Sequence, residues 1–190
     1  MTETDPKAAA AASSTASAAE EARILVLIRH ARAAAAATDI ERPLSDSGAA
    51  QAQALATALS TRVRSADLLI VSPAERARQT SQPIIARLAP GRTLVEEDVY
   101  FGGGRAVLEL IREAGAGART VVVVGHEPTT SELAAYLDGG TTDLGRRVSY
   151  GMSTANAAVL RVESPWASLT GGAAQVIDFL TPDLTPDRAK

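Results

Sequence analysis

Three features of the chain predict an α/β fold, a three-layer sandwich with a mostly parallel central sheet and helices on both faces. Apolar runs occur at 24–28, 68–71 and 121–124. Segments with helical spacing of apolar residues alternate with them, and each run ends abruptly in polar or charged residues. The first run is five consecutive branched residues followed at once by Arg29 and His30, the pattern of a strand buried on both faces whose end emerges at a sheet edge. The second leads into Ser72-Pro73-Ala74-Glu75-Arg76 and the third into Gly125-His126-Glu127-Pro128. Ligands of open α/β sheets bind outside the carboxyl ends of parallel strands, so these strands are expected to bring Arg29, His30, Arg76 and His126 to one rim.

Residues 1–22 contain Glu3, Asp5, Glu20 and Glu21 but no Leu, Ile or Val. They lack the basic start and apolar middle of a signal peptide and are expected to form a disordered tail, followed by one domain over 23–182 and a short tail over 183–190. After the first strand comes a small-residue loop, then Asp39-Ile-Glu-Arg42-Pro43-Leu-Ser45-Asp-Ser47-Gly48. Pro43 favours an extended or turn conformation, and Ser45 or Ser47 suits the N-cap of a helix carrying Leu55, Leu59 and Val63.

Ser72-Pro73 fits an N-cap with proline at the first helical position, opening a second helix with Ala77, Ile84 and Leu88 inward, which Pro83 is expected to kink or restart. Pro90-Gly91 marks a turn before Leu94-Val95. Gly102-Gly103-Gly104 follows no apolar strand and has no Gly-Lys-Ser/Thr ending, so it reads as a hinge before a helix with Val107, Leu108 and Ile111 rather than as a phosphate loop. A further helix carries Leu133, Tyr136 and Leu137 and ends at Gly139-Gly140. Residues 157–162 and 175–180 are strand candidates for a hairpin, with Trp166 between them as a packing residue. No internal repeat is present.

A length of 190 residues suits one domain, and the net charge of −3, with arginines scattered rather than clustered, argues against a nucleic-acid surface. The absence of Cys excludes disulfides and thiolate sites and suits a reducing compartment; two His in the whole chain argue against a metal centre. No apolar stretch approaches the ~20 residues needed to span a bilayer, and a cytoplasmic protein without metal or cofactor is expected.

Two guanidinium and two imidazole groups at one rim suit a compact anion with several oxygens. Histidine can act as a neutral nucleophile near pH 7 and carry a phosphoryl group on a ring nitrogen. Arg29-His30-Ala31, Ser72-Pro-Ala-Glu-Arg76-Ala-Arg-Gln-Thr80 and Gly125-His126-Glu-Pro128, in this order over residues 24–182, resemble the histidine phosphatase superfamily. With Arg42-Pro-Leu-Ser45-x-x-Gly48, the short form is similar to the phosphohistidine phosphatase SixA branch. The resemblance implies a phosphoglycerate mutase-like fold, His30 as the nucleophile that becomes phosphohistidine, and Arg29, Arg76 and His126 as ligands of the phosphoryl oxygens, His126 also stabilising charge if it is protonated.

The first motif has Ala31 where the wider superfamily usually has Gly. Many members place a Glu or Asp near the phosphate as general acid; Glu97 and Asp98 lie in the right region, and either is equally a solvated loop charge. An alkoxide leaving group needs such an acid, whereas imidazole, with a pKa of about 6.5, needs less help. This leans toward phosphohistidine on a protein, such as a histidine phosphotransfer domain. A small phosphate ester or sugar phosphate is the alternative substrate, a mutase ranks lower, and a non-catalytic phosphate-binding module is a reading from a different class. Arg42 and Arg32 either contact substrate at the pocket mouth or are solvated. Glu127 either bonds the turn after His126 or caps the next helix.

Overall fold

A computed structural model describes residues 22–182. The C-terminal tail expected over 183–190 lies outside them, as does all but the last residue of the tail expected over 1–22. The described chain forms a six-stranded sheet in the order β3-β2-β4-β1-β5-β6. β1 (Arg23–Arg29), β2 (Leu68–Val71), β3 (Arg92–Val95) and β4 (Thr120–Gly125) are parallel to one another. β5 (Ala157–Val162) and β6 (Ala174–Leu180) form the hairpin that the apolar runs predict, and β5 pairs antiparallel with β1.

Alternation along the strands divides the core in two. Val26, Ile28, Leu69, Val71, Val122 and Val124 face α1 (Asp46–Ser60) and α2 (Glu75–Leu88). Leu25, Leu27, Leu68, Ile70, Val121 and Val123 face α4 (Gly103–Ala114) and α5 (Thr129–Asp138), with α3 (Asp98–Phe101) and α6 (Asp143–Val148) on the same side. Trp166, in a short 3-10 turn, closes this second core and donates Nε1–H to the Ala118 carbonyl at 2.7 Å. This is the three-layer arrangement expected from the sequence.

Local details depart from expectation in three places. α2 begins at Glu75 with no side-chain cap, because Ser72 is drawn elsewhere; its Oγ accepts the Ala74 N–H at 3.3 Å. α2 also runs through Pro83 without restarting. Proline's fixed φ is helical and removes one donor, and burial of Ala77, Ile84 and Leu88 on the same helix outweighs that loss. The triple glycine is not a free hinge, since Gly103 and Gly104 already belong to α4.

The Arg42-to-Gly48 segment has a packing explanation. Ser45 caps α1, its Oγ accepting the Gly48 N–H at 3.1 Å, and the Ser45 N–H bonds the Arg32 carbonyl at 3.0 Å. A Cβ on Gly48 would lie 2.0 Å from that same carbonyl oxygen, so only glycine lets the helix approach the chain leaving β1.

Candidate active site

The parallel register delivers the site. His30 N–H bonds the Gly125 carbonyl and Ser72 N–H bonds the Val124 carbonyl, each at 3.0 Å, so the chain leaves β1, β2 and β4 at one level. Arg29, His30, Ser72 and His126 emerge there, and the first turns of α2 carry Arg76 across to them.

Arg76, only 6 % exposed, is the hub. Its Nε–H donates to His30 Nε2 at 3.1 Å, Nη2 lies 3.4 Å from His126 Nδ1, and the two imidazole centroids are 5.0 Å apart. His30 Nδ1 lies 2.7 Å from the Ala31 carbonyl oxygen, which can only accept. The proton is therefore on Nδ1 and a lone pair on Nε2, the atom aimed into the site. For His126 the same reasoning runs the other way. Arg76 can only donate, so Nδ1 accepts, and Nε2–H donates to Ser72 Oγ at 2.7 Å.

Burial is the main reason both imidazoles resist protonation. His30 is lowered to about 4 by burial and the charges of Arg76, Arg29 and Arg42, against the opposing pull of the Ala31 carbonyl. His126 is lowered to about 3 by burial, then by His30, Arg76 and Arg29, against the opposing charge of Asp39. Both are neutral at pH 7. Protonation of His126, the condition on its charge-stabilising role, is not met in the protein alone: desolvation and the guanidinium neighbours hold it neutral.

Arg29 is anchored by Nη1–H to the Met152 carbonyl at 2.6 Å, and its Nε is buried with no hydrogen-bond partner, a donor left over for a ligand. Glu127 supports that anchor by accepting the Met152 N–H at 3.2 Å, and it also bonds Thr130 and Ser131 at the start of α5. Both of its expected roles are realised. Thr80 Oγ accepts the Ala31 N–H at 3.0 Å and donates to the Arg76 carbonyl at 2.6 Å, tying the two phosphate-facing segments together.

The remaining candidates lie outside this cluster. Glu97 and Asp98 are exposed at the start of α3, and neither carboxylate bonds to His30, His126, Arg29 or Arg76. Arg42 donates Nε–H to the Ala34 carbonyl at 2.9 Å and Nη1–H to Asp39 Oδ1 at 3.1 Å, and Arg32 is exposed.

Sequence reasoning missed Asp39, Ser72 and Tyr100 as members of the site. Asp39 Oδ2 accepts from Arg76 Nη2 at 2.9 Å and from the Tyr100 hydroxyl at 2.7 Å. The Tyr100 ring stands edge-on to His126 at 5.2 Å, with the Arg76 guanidinium 5.9 Å from its centroid. The Tyr100 hydroxyl, then Arg42 and Arg76, hold the Asp39 carboxyl far below the usual carboxylate range. The spacing Asp39-x-x-Arg42 was a usable signal for an ion pair; nothing in sequence linked Tyr100 to it.

Two neutral imidazoles, one with its lone pair directed inward, and two arginines make a site that can attack and hold a tetrahedral oxyanion. Among the described residues no group of three or more His, Asp or Glu is placed to hold a metal ion, and no helix is long and apolar enough to cross a membrane. Residues 25–99 match the family model of the histidine phosphatase superfamily (branch 1). The uncharacterized protein Rv1276c of Mycobacterium tuberculosis (strain ATCC 25618 / H37Rv) is 35% identical over 150 residues, covering 76% of this chain and 91% of its own. A proposed phosphohistidine phosphatase SixA from Agrobacterium tumefaciens superposes with a TM-score of 0.71 at 30% identity, over 84% of this chain and 98% of that one. Another, from Nakamurella multipartitia, gives 0.77 at 28% identity, over 85% and 96%. The chain belongs to the histidine phosphatase superfamily, with the phosphoglycerate mutase-like fold and the character of a phosphatase. Within that superfamily it falls in the SixA-like branch.

Proposed function

We propose that this protein removes the phosphoryl group from phosphohistidine on a partner protein. His30 Nε2 attacks phosphorus as the P–N bond to the substrate's ring breaks; that ring, protonated on its other nitrogen, keeps the electron pair and leaves as neutral imidazole. Water then attacks phospho-His30, releasing inorganic phosphate and restoring Nε2. Arg76 Nε–H passes from His30 Nε2 to a phosphoryl oxygen as substrate enters, freeing the lone pair, while Arg29 takes another oxygen and His126, gaining a proton as the anion enters, donates to a third. Charge stabilisation and alignment are the main demands of phosphoryl transfer.

The observation that carries the substrate class is the lack of a proton donor beside the imidazoles. Among the described residues Asp39, the one carboxylate bonded to this cluster, is locked in its ionised form by Tyr100, Arg42 and Arg76, and Glu97 and Asp98 stand apart in solvent. Imidazole, with a pKa of about 6.5, departs without the acid that an alkoxide requires. Exposed aromatics that neighbour site residues in the chain also suit a macromolecular partner. Phe101, edge-on to Tyr100, is 71% exposed and Tyr150, two residues before the Met152 anchor, is 92% exposed, in a chain only 3% aromatic.

The test is phosphate release, with chelator present, from a phosphorylated histidine phosphotransfer domain and from a panel of sugar phosphates and other esters. Preference for phosphohistidine, abolished in His30→Ala, is the expected result. Faster turnover of an ester would move the protein to small-molecule metabolism. Phosphate binding without turnover, equal in wild type and His30→Ala, would make it a binding module.

A further inference from the structure

The reaction as proposed gives Asp39 no part, yet Asp39 makes more contacts to Arg76 than either histidine does. The guanidinium has two edges that can each engage a partner through paired N–H groups. One edge, Nε with Nη2, faces His30 and His126 at 3.1 and 3.4 Å. The other, Nη1 with Nη2, is gripped by a single residue: Nη1–H bonds the Asp39 carbonyl at 2.5 Å and Nη2–H bonds its carboxylate Oδ2 at 2.9 Å. Asp39 therefore stands behind the guanidinium, on the edge turned away from the lone pair of His30, and does not compete for the edge that faces it.

Asp39 is itself held from several sides. Tyr100 donates to Oδ2 at 2.7 Å and Arg42 to Oδ1 at 3.1 Å. Its loop is fastened to α2, since the Glu75 N–H bonds the Ile40 carbonyl at 2.9 Å and the Leu44 N–H bonds Gln79 Oε1 at 2.7 Å. An arginine side chain has many rotamers, and a buried one aimed at a reacting centre gains from a support that fixes its plane before substrate arrives.

We propose that Asp39 is a positioning residue that aims the phosphate-facing edge of Arg76, with Tyr100 and Arg42 fixing Asp39 in turn. This rests on the reading of Arg76 as a phosphoryl ligand. It extends the functional unit to the 33–44 loop and to α3, elements that carry none of the four motif residues. It also gives Tyr100 a role through its hydroxyl rather than through contact with substrate.

Orthovanadate, a mimic of the transferring phosphoryl group, tests the idea independently of the physiological substrate. Its dissociation constant would be measured by calorimetry for wild type, Asp39→Asn, Tyr100→Phe, Arg76→Lys and the Arg76→Lys/Asp39→Asn double variant. Loss of a charge-assisted bond predicts weakening of about 10-fold for Asp39→Asn and about 3-fold for Tyr100→Phe. In the double variant Asp39→Asn should add no more than about 2-fold to Arg76→Lys, because the effect runs through that guanidinium. A merely structural role would weaken both backgrounds alike, and that result overturns the proposal. So does wild-type affinity in Asp39→Asn while Arg76→Lys binds poorly. Wild-type affinity in Arg76→Lys itself would instead remove the phosphoryl-ligand reading and this inference with it. Should Asp39→Asn not fold, Tyr100→Phe decides alone, and unchanged vanadate binding by it overturns the proposal.

Discussion

β1, β2 and β4 run parallel and end at one level, whereas β5 and β6 run antiparallel and share no such edge, although both halves of the sheet are filled with the same small and branched residues. In the parallel half the polar groups beyond the strands converge: Arg29 and His30, Ser72, His126, and Arg76 one turn on. In the antiparallel half the conspicuous polar group is Asp138, fully buried and spent on structure. Its Oδ1 accepts the Val176 N–H at 2.9 Å and the Thr142 hydroxyl at 2.8 Å, and its Oδ2 accepts the Thr142 N–H at 3.0 Å, joining α5, α6 and β6. Parallel topology collects unlike residues at a rim where their capacity is left for a ligand; the antiparallel joint consumes that capacity internally.

The two halves should come apart under mutation. His30→Ala is expected to lower turnover by about 10⁶-fold, the scale seen when a nucleophile is removed, without lowering the unfolding temperature. Phosphate release and scanning calorimetry on the same sample measure both, and residual activity within tenfold of wild type would put the nucleophile elsewhere. Asp138→Ala is the mirror image. It leaves buried N–H groups of Val176 and Thr142 without an acceptor, at a cost of roughly 2–4 kcal/mol in urea unfolding, while kcat/KM measured on the folded protein stays within about 2-fold. A kcat/KM that falls with stability would mean the joint and the rim are one cooperative unit.

Gly48→Ala probes the boundary between them at smaller cost. The added Cβ would sit 2.0 Å from the Arg32 carbonyl, so α1 or the chain leaving β1 must shift, for about 1–3 kcal/mol of lost stability. Because Ala31 and Arg32 follow His30 directly, part of the effect should appear as a lower kcat at unchanged KM, which steady-state kinetics would resolve. A variant with wild-type kcat would confine the clash to packing.

The parallel half was the more legible in sequence for the same reason that it is functional. Five branched residues ending in Arg29-His30 announce both burial and its end, and three such endings imply a shared edge. The hairpin was legible from β-propensity alone. What could not be read is what depends on side chains meeting across long stretches of chain. Tyr100 meets Asp39 only because α3 folds over the 33–44 loop, and in sequence the acids Glu97 and Asp98 are more conspicuous than the phenol beside them. Ser72 looked like a helix cap because Pro73 follows it; its Oγ lies against His126, 54 positions away. α3, with four residues, and α6, with six, are too short for periodicity to reveal them.

The histidines give the rim a pH signature that the antiparallel half lacks. Their ordinary pKa of 6.5 applies to the unfolded chain, and the folded values lie lower, at about 4 for His30 and about 3 for His126. The unfolded state therefore binds protons first as pH falls, and stability drops from about pH 6.5 downward until the folded values are reached. Carboxylates paired in the fold add their own loss only at lower pH, so the interval from pH 7 to 6 isolates the imidazoles. Over it the pair should cost about 1 kcal/mol in urea unfolding, and His126→Gln should reduce the slope by about half. A phosphoryl group reverses the sign of the local field: dianionic charge favours imidazolium, so orthovanadate should flatten the wild-type slope as well. An equal slope with and without it would mean that His126 does not face the bound anion.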